Sequence, residues 1–173
     1  MTVDFAYKQR NRQNEGFAIR NLKLRMSRKL LFLAGMIACF ECHSAFASKE
    51  ERQDFYSVKR VQAVIERLRV VLMKPPLEIV AFALLRDPSL DPHSKQLFDS
   101  YDEFLEMLAD DTPSCEGMTI REHLDKLSVE KLGSDETASR GREISHRYRD
   151  AIGAIFLSEK NELGRMTIEY GVF

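Results

Sequence analysis

Apolar residues recur three and four apart along most of this chain, and the places where that rhythm starts and stops divide it into helices. From Phe17 to about Ala47, the residues Ile19, Leu22, Met26, Leu30, Leu33, Ile37 and Phe40 share one helical face. Every residue between Leu30 and Phe40 is apolar or Gly, which makes this stretch the expected spine, surrounded by other helices. Ser48 followed by Glu51 writes a capping box, so a second helix starts there. Its expected buried stripe is Phe55, Val58, Val61, Ile65, Leu68 and Leu72, and Pro75 with Pro76 ends it.

Leu77 to Leu85 is apolar on nearly all sides except Glu78 and predicts a short buried helix. Asp91 and Pro92 read as a cap and a first-turn proline, opening a helix with Leu97, Tyr101, Phe104 and Leu108 inward. Thr119 and Glu122 write a second capping box before Ile120, Leu124 and Leu127. After Gly133 a long helix is expected from about Asp135 to Glu159, buried through Ile144, Tyr148, Ile152 and Ile155.

Two stretches alternate instead. Val3, Phe5 and Tyr7 stand against Thr2, Asp4 and Ala6, and Met166, Ile168, Tyr170 and Val172 stand against Thr167, Glu169 and Gly171. A period of two predicts short extended segments at both termini, pairing with each other, with Gly164 as a helix stop. The expected architecture is therefore all-α. It is a single helical domain of five to six helices over residues 16–173, preceded by an extended segment and polar linker at residues 1–15.

Composition narrows this further. With 44% hydrophobic and 31% charged residues in 173, the chain affords a core and is not disordered as a whole. Eight Gly and five Pro are too few turn formers for a barrel of many short strands. Three Cys give no disulfide framework and leave one thiol over, which points to a reducing cytoplasm. Basic Arg28 and Lys29, the apolar run from Leu30 to Phe40, and Ala45, Phe46 and Ala47 follow the order of a secretory signal. That run is about half the roughly 20 residues a spanning helix needs, so a buried helix and no membrane is the expectation.

Charge is unevenly placed. Residues 1–29 hold eight basic and two acidic side chains, and residues 75–139 hold five basic and fifteen acidic. Such asymmetry speaks about partners. Five cations fall within ten residues: Arg20, Lys23, Arg25, Arg28 and Lys29. On an α-helix Arg20 and Lys23, and Arg25 and Arg28, are neighbours at i, i+3, and Arg25 and Lys29 at i, i+4. This concentrated charge makes them candidates to neutralise nucleic-acid phosphates. Asp99, Asp102, Glu103, Glu106, Asp110 and Asp111 form a solvated acidic face suited to a basic partner.

Two short motifs carry specific chemistry. Cys39, Cys42 and His43 spell C-x-x-C-H, which resembles the haem-attachment motif of c-type cytochromes. That resemblance implies two thioether bonds and a His on the iron. Arg140 and His146 form R-x5-H, which resembles the R-x4-6-H motif of HEPN ribonucleases. Those are all-helical domains of about this size in which Arg and His act on the phosphodiester and its 2′-OH. Phosphate-loop, dinucleotide, zincin and hydrolase-elbow motifs are absent from the sequence. The expectation is a non-catalytic helical subunit or adaptor without a cofactor, engaging a protein partner, a second copy of itself or nucleic acid. An HEPN-like ribonuclease is the enzymatic alternative, and a c-type haem protein the third reading.

Overall fold

A computed structural model describes residues 16–45, 58–111, 113 and 117–171. Of these, 83% are helical and none lies in a strand, so the all-α expectation holds. The helices are α1 (Phe17–Lys23), α2 (Lys29–Ala45), α3 (Val58–Leu72), α4 (Pro76–Leu84), α5 (Asp91–Ala109), α6 (Ile120–Lys126), α7 (Glu136–Phe156) and α8 (Glu162–Tyr170). A π-turn, Leu24–Arg28, carries α1 into α2 without a break. Counting that stretch once, the described residues hold seven helices, not the five to six expected.

The seventh is α8, which replaces the expected C-terminal strand. Its sequence alternates, but Leu163, Met166, Thr167 and Tyr170 also recur at helical spacing. Asn161 decides between the two periods. Its Oδ1 accepts from the Gly164 amide at 2.8 Å, capping the helix, and its Nδ2 donates to the Ile155 carbonyl at 2.9 Å. Gly164 thus opens a helix rather than stopping one. A Cβ there would lie 1.9 Å from the Ser158 carbonyl oxygen, so only glycine allows this return of the chain. The N-terminal alternating segment and the Ser48–Glu51 capping box lie outside the described residues, and with Met166–Tyr170 helical the expected terminal pairing has no support.

The chain divides into two compact units. The first comprises residues 16–28 and 95–153 of the described chain. Its α1 packs against α6. Gly16 caps α1 with a φ of 73°, and its amide donates to the Asp125 carbonyl at 2.5 Å, tying the start of α1 to α6. The expected Thr119 capping box forms: Thr119 Oγ1 accepts from the Glu122 amide at 3.2 Å, and Glu122 Oε2 from the Thr119 amide at 3.0 Å. Leu97, Phe104, Met107, Leu124, Ile144 and Tyr148 are all buried. Arg147 forks onto both Glu103 oxygens, at 2.8 and 2.5 Å, joining α7 to α5.

The second unit comprises described residues of 29–94 and 154–171. Here α2 packs against α4 and α3, burying Leu33, Ile37, Val80 and Leu84. One expectation is overturned within α3. Val61, Ile65 and Leu72, predicted as its buried stripe, are 47%, 42% and 57% exposed, and Val71 is buried instead. The cause is an excess of apolar positions: Val64 and Val71 flank Leu68, the one member of the predicted stripe that is half-buried, and that side is the more covered one. Phe55 lies outside the described residues.

Candidate functional site

The basic segment straddles the π-turn. A π-turn takes more residues per turn than an α-helix, so it re-phases everything beyond it. Arg20 and Lys23 keep their i, i+3 spacing within α1, whereas Arg25, Arg28 and Lys29 are spaced across the π-turn. Lys23 and Arg28 are exposed, whereas Arg20, Arg25 and Lys29 are half-buried. Arg25 Nε donates to Asn21 Oδ1 at 3.2 Å, and its side chain lines a cavity of about 230 Å³ in the first unit. Arg142 of α7 lines the same cavity, held by Nη2 donation to the Leu132 carbonyl and to Ser139 Oγ, both at 2.9 Å. In the sequence Arg142 is one of four arginines, with Arg140, Arg147 and Arg149, on what reads as a solvated helix face, and nothing local sets it apart from them.

Arg140 and His146 are both exposed on α7. Six residues on an α-helix turn the side chains about 120° apart. His146 faces an open groove with Ser139, Arg142, Glu143, Arg147 and Asp150, and its Nδ1 lies 3.3 Å from Arg149 Nη2. Arg140 does not line that groove. Its charge acts on Glu103, whose carboxyl is held below its usual range, first by the hydrogen bond from Arg147. The structure therefore does not bring Arg140 and His146 into one pocket.

The C-x-x-C-H residues sit on two sides of α2. Cys42 is buried, and burial first, then the neighbouring Cys39, pushes its thiol up, making it a poorer nucleophile. Cys39 is exposed and shares an apolar groove of about 680 Å³ with Leu31, Phe32, Gly35 and His43. The His43 ring leans on Tyr170 of α8, with centroids 4.6 Å apart. Among the described residues, no three His, Cys, Asp or Glu side chains gather as a metal site.

Glu41 is the only charged side chain in residues 30–48, so the sequence marks it. It is 17% exposed and bridges two guanidiniums, accepting from Arg67 at 2.9 Å and from Arg86. That pairing ties α2 to α3 and to the turn after α4. In the first unit, Asp135 does two tasks. Its Oδ1 accepts from the Ala138 amide at 2.8 Å, capping α7, while its Oδ2 meets His123 Nε2 at 2.7 Å. Burial alone would raise the Asp135 carboxyl, but the Ala138 amide and His123 together hold it below its ordinary value.

Among the described residues, no helix is long and apolar enough to cross a membrane. Comparison with known proteins returns no match: no protein family, no curated protein and no solved structure is significantly similar to this chain.

Proposed function

We propose that this chain is a non-catalytic helical subunit that works by association, with a second copy of itself docking along α3. The observation that carries this reading is the exposure of Val61, Ile65 and Leu72 on a helix whose apolar residues have the spacing of a helix-pairing seam. Val61, Ile65 and Leu72, together with the half-buried Leu68 that this face shares with the covered stripe, are spaced four, three and four apart, a palindrome. A two-fold axis through its middle sets Val61 against Leu72 and Ile65 against Leu68 of the other copy, the self-complementary geometry a closed dimer needs. Glu66 and Arg69, 55% and 73% exposed on the same helix, give its surface both signs of charge, which suits like meeting like. One helix pairing with another is a small contact beside the roughly 800 Å² per partner of a standard interface, so association is expected to be weak, around the micromolar range.

Sedimentation across a concentration series tests this. The wild-type mass should rise from 20.0 kDa toward twice that value. The double variant Ile65→Glu, Leu72→Glu should remain monomeric with unchanged helicity. A wild type that stays monomeric to about 100 μM, well above that expected range, sinks the reading. Nucleic acid is the other partner class, through Arg20, Lys23, Arg25, Arg28 and Lys29. With Lys23 and Arg28 as the exposed members, the slope of log K against log salt on duplex DNA should be about −2. A slope near −4 would require all five to reach phosphates.

A further inference from the structure

The geometry points to the cavity between α1, α6 and α7 of the first unit as a binding site for a small amphipathic carboxylate, with Arg25 and Arg142 holding the carboxylate and the apolar wall holding its body. Leu22, Met107, Leu124 and Leu132 form that wall, and Asn21 and Ser145 add a polar edge. Ligand sites combine these features, a concave apolar surface with a few convergent polar groups.

The two guanidiniums set the charge of the ligand. Arg25 and Arg142 bond only neutral acceptors: Asn21 Oδ1, the Leu132 carbonyl and Ser139 Oγ. Among the described residues neither has a carboxylate within ion-pair distance, whereas Arg147, one and a half turns further along α7, is fully paired with Glu103. Each guanidinium has five N–H donors, so both retain donors for an anion. Hydrogen bonds from a guanidinium to a carboxylate are about twice as strong as neutral ones, and excluding water from one side strengthens them further.

Size and wall set the body. At about 30 Å³ for each water-sized group, 230 Å³ holds roughly seven or eight non-hydrogen groups, which is a carboxylate on a chain of about four or five carbons. A wholly hydrophilic anion such as inorganic phosphate would leave the leucine and methionine wall wet and is disfavoured for that reason. A neutral alcohol of the same length would leave two cations unmatched.

Calorimetric titration of the full chain with hexanoate, butanoate, hexanol and inorganic phosphate tests the site. Hexanoate should bind more tightly than butanoate by about fourfold per methylene. Hexanol and phosphate should each bind at least about tenfold more weakly than hexanoate. The double variant Arg25→Met, Arg142→Met should weaken hexanoate by about ten- to hundredfold. Ala138→Leu, which fills the cavity and keeps both cations, should remove binding as well. The proposal is overturned by no hexanoate binding at about 10 mM, by phosphate binding as well as hexanoate, or by hexanoate binding that survives in the double arginine variant. The ligand series on the wild type decides the matter even where a variant fails to fold.

Discussion

Among the described residues, Leu105 and Val129 are the large apolar side chains left exposed in the first unit, whereas the second unit leaves thirteen, among them Leu31, Phe32, Val61, Ile65, Leu72 and Leu85. Charge runs the other way. The second unit shields Glu41 and satisfies it twice, with Arg67 and Arg86, while the first holds Arg25 and Arg142 at a cavity without a carboxylate partner among the described residues. One unit has closed its hydrophobic account within the chain and keeps charge to offer; the other has settled its shielded charge and keeps apolar surface to offer. Unmatched surface of either kind marks where free energy remains to be gained by binding.

The largest test of this contrast is truncation of matched side chains. Phe104→Ala, at a position 1% exposed in the first unit, should cost about 3–5 kcal/mol in urea unfolding. Ile65→Ala in the second unit should cost no more than about 0.5 kcal/mol at concentrations where the chain is monomeric. A cost of several kcal/mol at Ile65 would mean that its seam is covered within the chain, and would remove the basis for self-association.

A smaller effect separates the two charge arrangements. Glu41→Gln removes the anion between two arginines whose side chains are 43% and 63% exposed, so solvent screening limits the loss to about 1 kcal/mol. Arg142→Met removes a cation that has no carboxylate within ion-pair distance among the described residues, and should change stability by no more than about 0.5 kcal/mol. Equal costs at the two positions would show that Arg142 is paired after all.

The smallest expected effect concerns acid. The Asp135 carboxyl is held below its unfolded value in the folded chain, so its contribution is fully present above about pH 4 and is lost as the pH falls through the folded value. Glu103, lowered first by Arg147, acts in the same direction. Stability measured from pH 5 downward should therefore decline less steeply in Asp135→Asn than in the wild type. An unchanged slope would assign the acid sensitivity elsewhere.

Helical rhythm, the apolar spine from Leu30 to Phe40 and the Thr119–Glu122 cap were legible in the sequence because each depends on residues within one or two turns of one another. Glu41 stands alone as a charge in residues 30–48, but Arg67 and Arg86, which satisfy it, come from elsewhere in the fold. The terminal strand was misread because Met166–Val172 fits both periods, and the cap that decides, Asn161, reaches back to Ile155. Which stripe of α3 is buried was beyond the sequence for a similar reason: Val61, Ile65 and Leu72 compete with Val64 and Val71 for the side that Leu68 borders, and only packing against α2 chooses. Likewise Arg25, in the π-turn Leu24–Arg28, lines one cavity with Arg142 from 117 positions along the chain, a meeting no local pattern shows. Local periodicity and capping are written in neighbouring residues, and so the sequence alone determined an all-helical chain. The direction each helix turns its faces, and the groups that meet across helices, depend on contacts between distant residues, and those only the tertiary structure decided.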